Sequence, residues 1–222
     1  SEILVVGQGD SPVADETPAI FDVLLRERAT YRFVDGESAA LFPPHPAVAL
    51  LSSGVGEATN WYEPWPAQDL PYDARLILLD GRWPQEGFEA ISSPRVFQNG
   101  IEFQGYHWEK GAGPDGEGQF WLLWQPLWLS TDDTHFFVHL LDDSGQLQGQ
   151  KDTEGYPTAY RNKGDRVISK FDITFSQGVT AIPEWARVGL YKYPEVANLL
   201  DIDEAGNPVT NAVVVGPLHE GP

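Results

Sequence analysis

The chain contains no cysteine and no methionine. Without cysteine, disulfides, thiolate metal sites and cysteine nucleophiles are excluded. The absence fits a reducing compartment or an exported protein that does without disulfides. Without methionine, and with Ser1 as first residue, the chain is expected to be an excised fragment or a mature piece of a longer product. Positive charge is scarce: 14 Lys and Arg stand against 33 Asp and Glu, a net charge of −19. No nucleic acid partner is therefore expected, because phosphate binding needs clustered Lys and Arg, and an anionic membrane surface is disfavoured for the same reason. No apolar run approaches the roughly 18 residues of a membrane helix, and no signal peptide is visible. Any membrane contact is expected through segments absent from this chain.

What is present is a chain of 222 residues, enough for one large domain or two small ones around a real core. Apolar residues make up 41% and aromatics 12%, which argues against disorder. The 22 glycines and 18 prolines suit many turns and short strands.

The first quarter reads as mixed α/β. "EILVVGQG" is a short strand ending at glycine. In "TPAIFDVLLRER" the period changes, with Ile20, Val23 and Leu24 on one helical face and Phe21 and Leu25 beside them. Thr17 and Pro18 suit an N-cap and first helical position, and Arg26 and Arg28 suit the last turn. "TYRFVDG", "AALF", "AVALLS" and "ARLILLDG" read as strands, "NWYEPWPAQDLPYD" as a connecting loop and "RWPQEGFEAISSP" as irregular. From about residue 95 the pattern is all-β. "RVFQNGIEFQGYHW" carries an Asn-Gly turn, "GQFWLLWQPLWLS" an apolar strand broken at Pro126, and "THFFVHLLDDSGQLQGQKD" a hairpin. "RVISKFDITF", "ARVGLYKY" and "NAVVVGPL" add three more strands. The expected architecture is mainly β: a small α/β lobe over residues 1–80, followed by a jelly-roll-like antiparallel β-sandwich over 81–222.

Several stretches imitate functional motifs. His135 and His139 in "HFFVH" have the four-residue spacing of a helical zinc site, but Phe136, Phe137 and Val138 favour a strand. Four strand steps separate the two by roughly 13 Å, too far for one ion. No metal site and no cofactor are expected. Gly7-x-Gly9 begins like a dinucleotide fingerprint, but Pro12 stands where the third glycine belongs. "GESAA" lacks the last glycine of a nucleophile elbow and runs into Pro43, Pro44 and Pro46. "DIDEAG" starts like a calcium loop, yet its fifth and twelfth positions are Ala205 and Ala212, so a hairpin turn is the simpler reading and a weak cation contact among Asp201, Asp203 and Glu204 the alternative. Asp132–Asp133 and Asp142–Asp143 are adjacent carboxylates in polar turns, not the facing pair a glycosidase needs. No catalytic set emerges.

The tryptophans are more informative. Trp121, Trp124 and Trp128 share one strand and read as core. Trp61, Tyr62 and Trp65 cluster in one loop, with Trp83 further on. These four either pack between the lobes or form a carbohydrate-binding platform, since aromatic faces stack on the apolar faces of sugar rings.

"NGIEFQGYHW" (99–108), "FWLLWQPLWLSTDDTHFFVHLLDDSGQLQGQKD" (120–152), "GYPT" (155–158), "ARVGLYKY" (186–193) and the final "LLDIDEAGNPVTNAVVVGPL" together resemble a β-sandwich module at the tail of bacterial membrane glycosyltransferases of the dolichyl-phosphate-mannose protein mannosyltransferase type. "FDVLLRERATYRFVDGESAALFPPHPAVALL" is similar to the α/β segment that follows the last membrane helix there. The resemblance covers about two thirds of the chain. It departs after the "YPT" element, where a tryptophan and Pro-Gly give way to "AYRNKGD". It implies a noncatalytic extracytoplasmic accessory domain at the bacterial cytoplasmic membrane, binding glycan or acceptor polypeptide, with the chemistry carried by membrane-attached loops absent here. A free-standing carbohydrate-binding module and a glycosidase are the alternatives.

Overall fold

The computed structural model describes residues 2–84, 86–111, 117–176 and 183–218. The first part comprises β1 (Glu2–Gly7), α1 (Glu16–Leu25), β2 (Thr30–Asp35), β3 (Ala39–Phe42), β4 (Pro46–Leu51), a 3-10 turn at Glu57–Tyr62, β5 (Ala67–Asp69) and β6 (Arg75–Asp80). The second comprises β7 (Glu89–Phe97), β8 (Ile101–Lys110), β9 (Glu117–Pro126), β10 (Thr134–Leu141), β11 (Leu147–Thr153), β12 (Arg166–Thr174), β13 (Trp185–Lys192), β14 (Ala197–Asn198), β15 (Asp201–Ile202) and β16 (Val213–Val215). The chain is mainly β, an antiparallel sandwich preceded by a small α/β lobe.

In the small lobe the strand order is β2-β1-β4-β6-β5. β1 runs parallel to β2 and β4, so the chain must cross over between β1 and β2, and α1 makes that crossing. The helix begins earlier than its sequence predicts. Asp15, not Thr17, is the N-cap. Its carboxylate is taken by the backbone N–H of Ser11 at 2.9 Å instead of capping the helix. The helix also ends at Leu25, so Arg26 is its C-cap, paired back to Asp22, and Arg28 lies beyond. The apolar stripe does not dock. Ile20, Val23 and Leu24 are 51%, 73% and 50% exposed, and Pro18 is the buried residue of the helix. Contact is made at the first turn, where Thr17 presses on β1 so closely that a Cβ at Gly7 would lie 2.8 Å from its methyl group.

The sandwich consists of two antiparallel sheets. One has the order β15-β7-β8-β9-β12-β3; the other has β11-β10-β13-β14, with β16 also on β13. β7 includes residues expected to be irregular. Its ladder with β8 shifts between Ala90 and Arg95, around Pro94, which has no N–H to offer. Period-two alternation sends Phe103, Tyr106, Trp108, Phe120, Leu122, Trp124, Phe171, Phe136, Val138 and Leu140 into the core. Phe136 bridges the sheets, 5.0 Å from Trp124 and 6.2 Å from Phe103. The Trp124 indole donates to Ser169 Oγ at 3.0 Å. Arg161 lies buried above Trp124 and donates to the Tyr156 carbonyl and Thr134 Oγ1; burial lowers its pKa to about 10. Trp121 and Trp124 are buried as expected, but Trp128 is not in the strand. It is 42% exposed and lies over the Asn99–Gly100 turn.

The division at residue 80 coincides with the end of β6, yet the lobes share more than a border. β3 leaves the α/β lobe and completes the six-stranded sheet, pairing Ala39–Phe42 with Arg166–Ser169 of β12. One contiguous cluster of buried side chains runs through both lobes. Between them Arg32 of β2 is held by Glu2 of β1 at 2.7 and 2.9 Å, by Asp165 and by the Tyr160 carbonyl at 3.0 Å.

Candidate functional site: an outer sheet face with two aromatic clefts

The face of the six-stranded sheet that points away from the sandwich core is polar and aromatic. Alternation places His107 and Glu109 of β8, Gln119 and Trp121 of β9, and Arg166, Lys170 and Asp172 of β12 on it. The ladders align His107 with Trp121 and Trp121 with Lys170, and likewise Glu109 with Gln119 and Gln119 with Asp172. The turn at 57–62 and the segment after β6 lie across this face. Trp61 is wedged there, 4.6 Å from Phe88, 5.7 Å from Trp121 and 6.0 Å from His107 between ring centres.

The four candidate platform residues are thereby separated. Tyr62 is fully buried. Its hydroxyl accepts from Leu41 N at 2.8 Å and donates to Leu41 O at 3.2 Å, fastening the turn to β3. It belongs to the core and cannot meet a ligand, a correction to the sequence reading. Trp65 and Trp83 line one cleft, and Trp61 lines another.

The first cleft, about 630 Å³, is bounded by Pro64, Trp65, Gly81, Arg82, Trp83, Pro84, Glu86 and Arg166. Asp80, at the end of β6, organises it. Its carboxylate accepts from the Trp65 indole at 3.1 Å and from Arg82 Nε at 2.7 Å. The Arg82 hydrogen bond, and then that of Trp65, hold the Asp80 carboxyl well below the usual carboxylate range. Trp65 shows only 7% of its surface, resting on Phe42 at 5.2 Å. Trp83 is more open and carries the Arg166 guanidinium 5.0 Å above its ring. Arg166 Nε is buried without a hydrogen-bond partner, and burial lowers the guanidinium's pKa.

The second cleft, about 260 Å³, is lined by Glu57, Asn60, Trp61, Glu109, Gln119 and Trp121. It adjoins a groove of about 370 Å³ that shares Glu109 and Gln119 and reaches Asp172. Its polar groups are already mutually engaged. Lys170 Nζ lies 2.7 Å from Glu57 and 3.1 Å from Asp172, Gln119 donates to Glu57, and His107 meets Glu109 at 2.9 Å.

The other motifs resolve structurally. His135 stacks on Tyr193 at 4.4 Å, whereas His139 lies against Phe137 at 4.9 Å, in a different neighbourhood of strand β10. Burial lowers the pKa of His139. The Gly7-x-Gly9 loop places Asp10 near Asp35, Glu154 and Asp15, and phosphate would be repelled there. Ser38 donates to Asp35 at 2.7 Å and leads into strand β3, not a helix. Asp203 accepts from Ala205 N and Asn207 N, forming a hairpin turn, while Asp201 is buried on Arg95. Asp142 closes the "DDSG" turn and Asp132 pairs with Lys192 at 2.6 Å. Among the described residues no group of three or more His, Cys, Asp or Glu is placed to hold a metal ion, and no helix is long and apolar enough to cross a membrane.

Sequence reading overlooked Arg82 and Arg166 and favoured the core for Trp121, which is buried yet also lines the second cleft. The alternation in "RVISKFD" was the available signal, since it places Arg166, Lys170 and Asp172 on one face. No family model matches the chain, and no curated protein matches it. Among solved structures it is similar to one described as the crystal structure of the C-terminal domain of wzt, at 11% identity over 60% of this chain and 81% of that one, with a TM-score of 0.36.

Proposed function

We propose that this chain is a noncatalytic glycan-binding domain, the extracytoplasmic accessory part of a membrane glycosyltransferase of the type its sequence resembles. The observation that supports glycan binding is the cleft built on Trp65 and Trp83. Its volume lies within the range of small-ligand sites and is sufficient for one or two sugar rings. The half-buried Trp83 indole offers a surface for stacking the apolar side of a pyranose, while the buried Trp65 forms the floor beside it. Arg82, Glu86 and Arg166 at its walls supply donors and acceptors for hydroxyls. The domain would hold glycan or acceptor polypeptide beside the membrane while residues outside this chain carry out transfer.

Titration against an oligosaccharide array, followed by isotope-edited NMR on the binders, tests the reading. Shifts are expected at the Trp65 and Trp83 indole N–H groups. Trp83→Ala is expected to weaken binding at least tenfold, about 1.4 kcal/mol, with the fold retained. An array with no binder would refute the glycan reading. A parent gene encoding no membrane helices upstream would refute the glycosyltransferase assignment.

A further inference from the structure

Among the described residues, every buried or half-buried arginine except one has a carboxylate, carbonyl or amide oxygen within 4.0 Å, the longest of these contacts being the ion pair of Arg75. Arg32 has Glu2 and Asp165, Arg75 has Asp69, and Arg95 has Asp201. Arg161 has the Tyr156 carbonyl and Arg187 has Asn211. Arg166 has none, although the chain carries 33 carboxylates. The acidic group that most influences it, Glu102, instead accepts from Gln104 and Gln125, both at 2.8 Å. A guanidinium partly removed from water without a counter-charge is unfavourable in the free protein. Arg166 nonetheless holds its guanidinium carbon 5.0 Å over the Trp83 ring and lines the 630 Å³ cleft together with Arg82. Arg82 is tethered by Asp80, and Glu86 is the acidic residue of the lining.

We infer that Arg166 is the recognition residue for an oxyanion on the bound glycan, so that the cleft selects acidic sugars, either uronates or sugar phosphates. This rests on the glycan reading above. A planar oxyanion meets the guanidinium fork through paired hydrogen bonds, while the sugar ring that carries it stacks beside Trp83. Ligand binding then supplies the counter-charge that the free domain withholds. Because Arg166 makes no hydrogen bond or ion pair in the free domain, and a neutral substitution removes only its contact with the Trp83 ring and a distant influence of Glu102, that substitution is expected to leave the fold intact.

The test is calorimetric titration of the purified chain with tri-galacturonate, with its fully methyl-esterified form and with mannose 6-phosphate. The acid is expected to bind at least tenfold more tightly than the ester at low salt, with the preference shrinking as salt is added. Arg166→Gln is expected to abolish the preference while its melting temperature stays at or above that of the parent, and Arg166→Lys to restore it only in part. Tighter binding of the sugar phosphate than of the uronate identifies phosphate as the recognised group; the reverse identifies carboxylate. Equal affinity for acid and ester, or a preference that survives in Arg166→Gln, overturns the inference and leaves glycan binding standing. Binding of none of the three, nor of any array glycan, overturns both. Should Arg166→Gln fail to fold, Arg166→Lys decides: an acid-over-ester preference undiminished in that variant overturns the assignment to Arg166, and a reduced one upholds it.

Discussion

Asp10 sits half-buried on the loop after β1, where burial and then the carboxylates of Asp35, Glu154 and Asp15 push its pKa up to about 6 from an ordinary 3.8. Between those two values the folded chain binds the proton more tightly than the unfolded chain does, so stability falls as pH rises through that window. Above it Asp10 is ionised in both states and the full cost of crowding the charge is present. We predict that Asp10→Asn stabilises the protein at neutral pH by about 1 kcal/mol, after allowance for solvent screening. The gain should vanish below about pH 4, where the carboxyl is protonated in both states. Paired thermal melts at the two pH values check this; an equal difference at both would show that charge is not the cause. At the same scale, much of the candidate site was hidden from sequence. The tryptophans were visible as a cluster, but Tyr62 and Trp65 are three residues apart and one is sealed in the core while the other walls a cleft. Arg166 stood out even less, since what distinguishes it is a missing partner, and partners are set by folding.

Among the elements, the strands of the sandwich were legible because alternation survives wherever one face is buried, as in β8, β9 and β12. α1 was legible as a helix, but its docking was not. An apolar stripe shows which side of a helix is greasy, not whether a neighbour meets it, and here the helix is held by Thr17 and Pro18 at its first turn and by the hydrogen bond from Tyr31 of β2 to Asp22, not by Ile20, Val23 and Leu24. β7 was masked by Ser-Ser-Pro, and β5 is three exposed residues with no pattern to read. The pairing of β8 with β9 makes a sharper demand. Gly118 stands beside the Trp108 indole, and an added methyl group would enter its six-membered ring. Gly118→Ala is predicted to destabilise the protein by about 1–3 kcal/mol through overpacking. Urea unfolding measures the change, and a midpoint identical to the parent's would mean that Trp108 has room to turn away.

At the scale of the whole molecule, the buried Arg32 cluster and the continuous core join the lobes. Arg32→Met would leave Glu2 and Asp165 as uncompensated buried carboxylates, so a loss of about 3–5 kcal/mol is expected. Because the core is continuous, unfolding followed by tryptophan fluorescence and by circular dichroism should give one coincident transition; two separated transitions would show that the lobes are independent. The excursion of β3 also has a bearing on how such a module can change hands between genes. A break at residue 80 looks natural along the chain, but it would carry away the strand that seals one flank of the larger sheet, leaving β12 with a row of unpaired amides and carbonyls open to any passing chain. Neither part, cut at that point, would keep its whole complement of backbone partners, so a working transplant of the larger sheet is expected to need the smaller lobe with it.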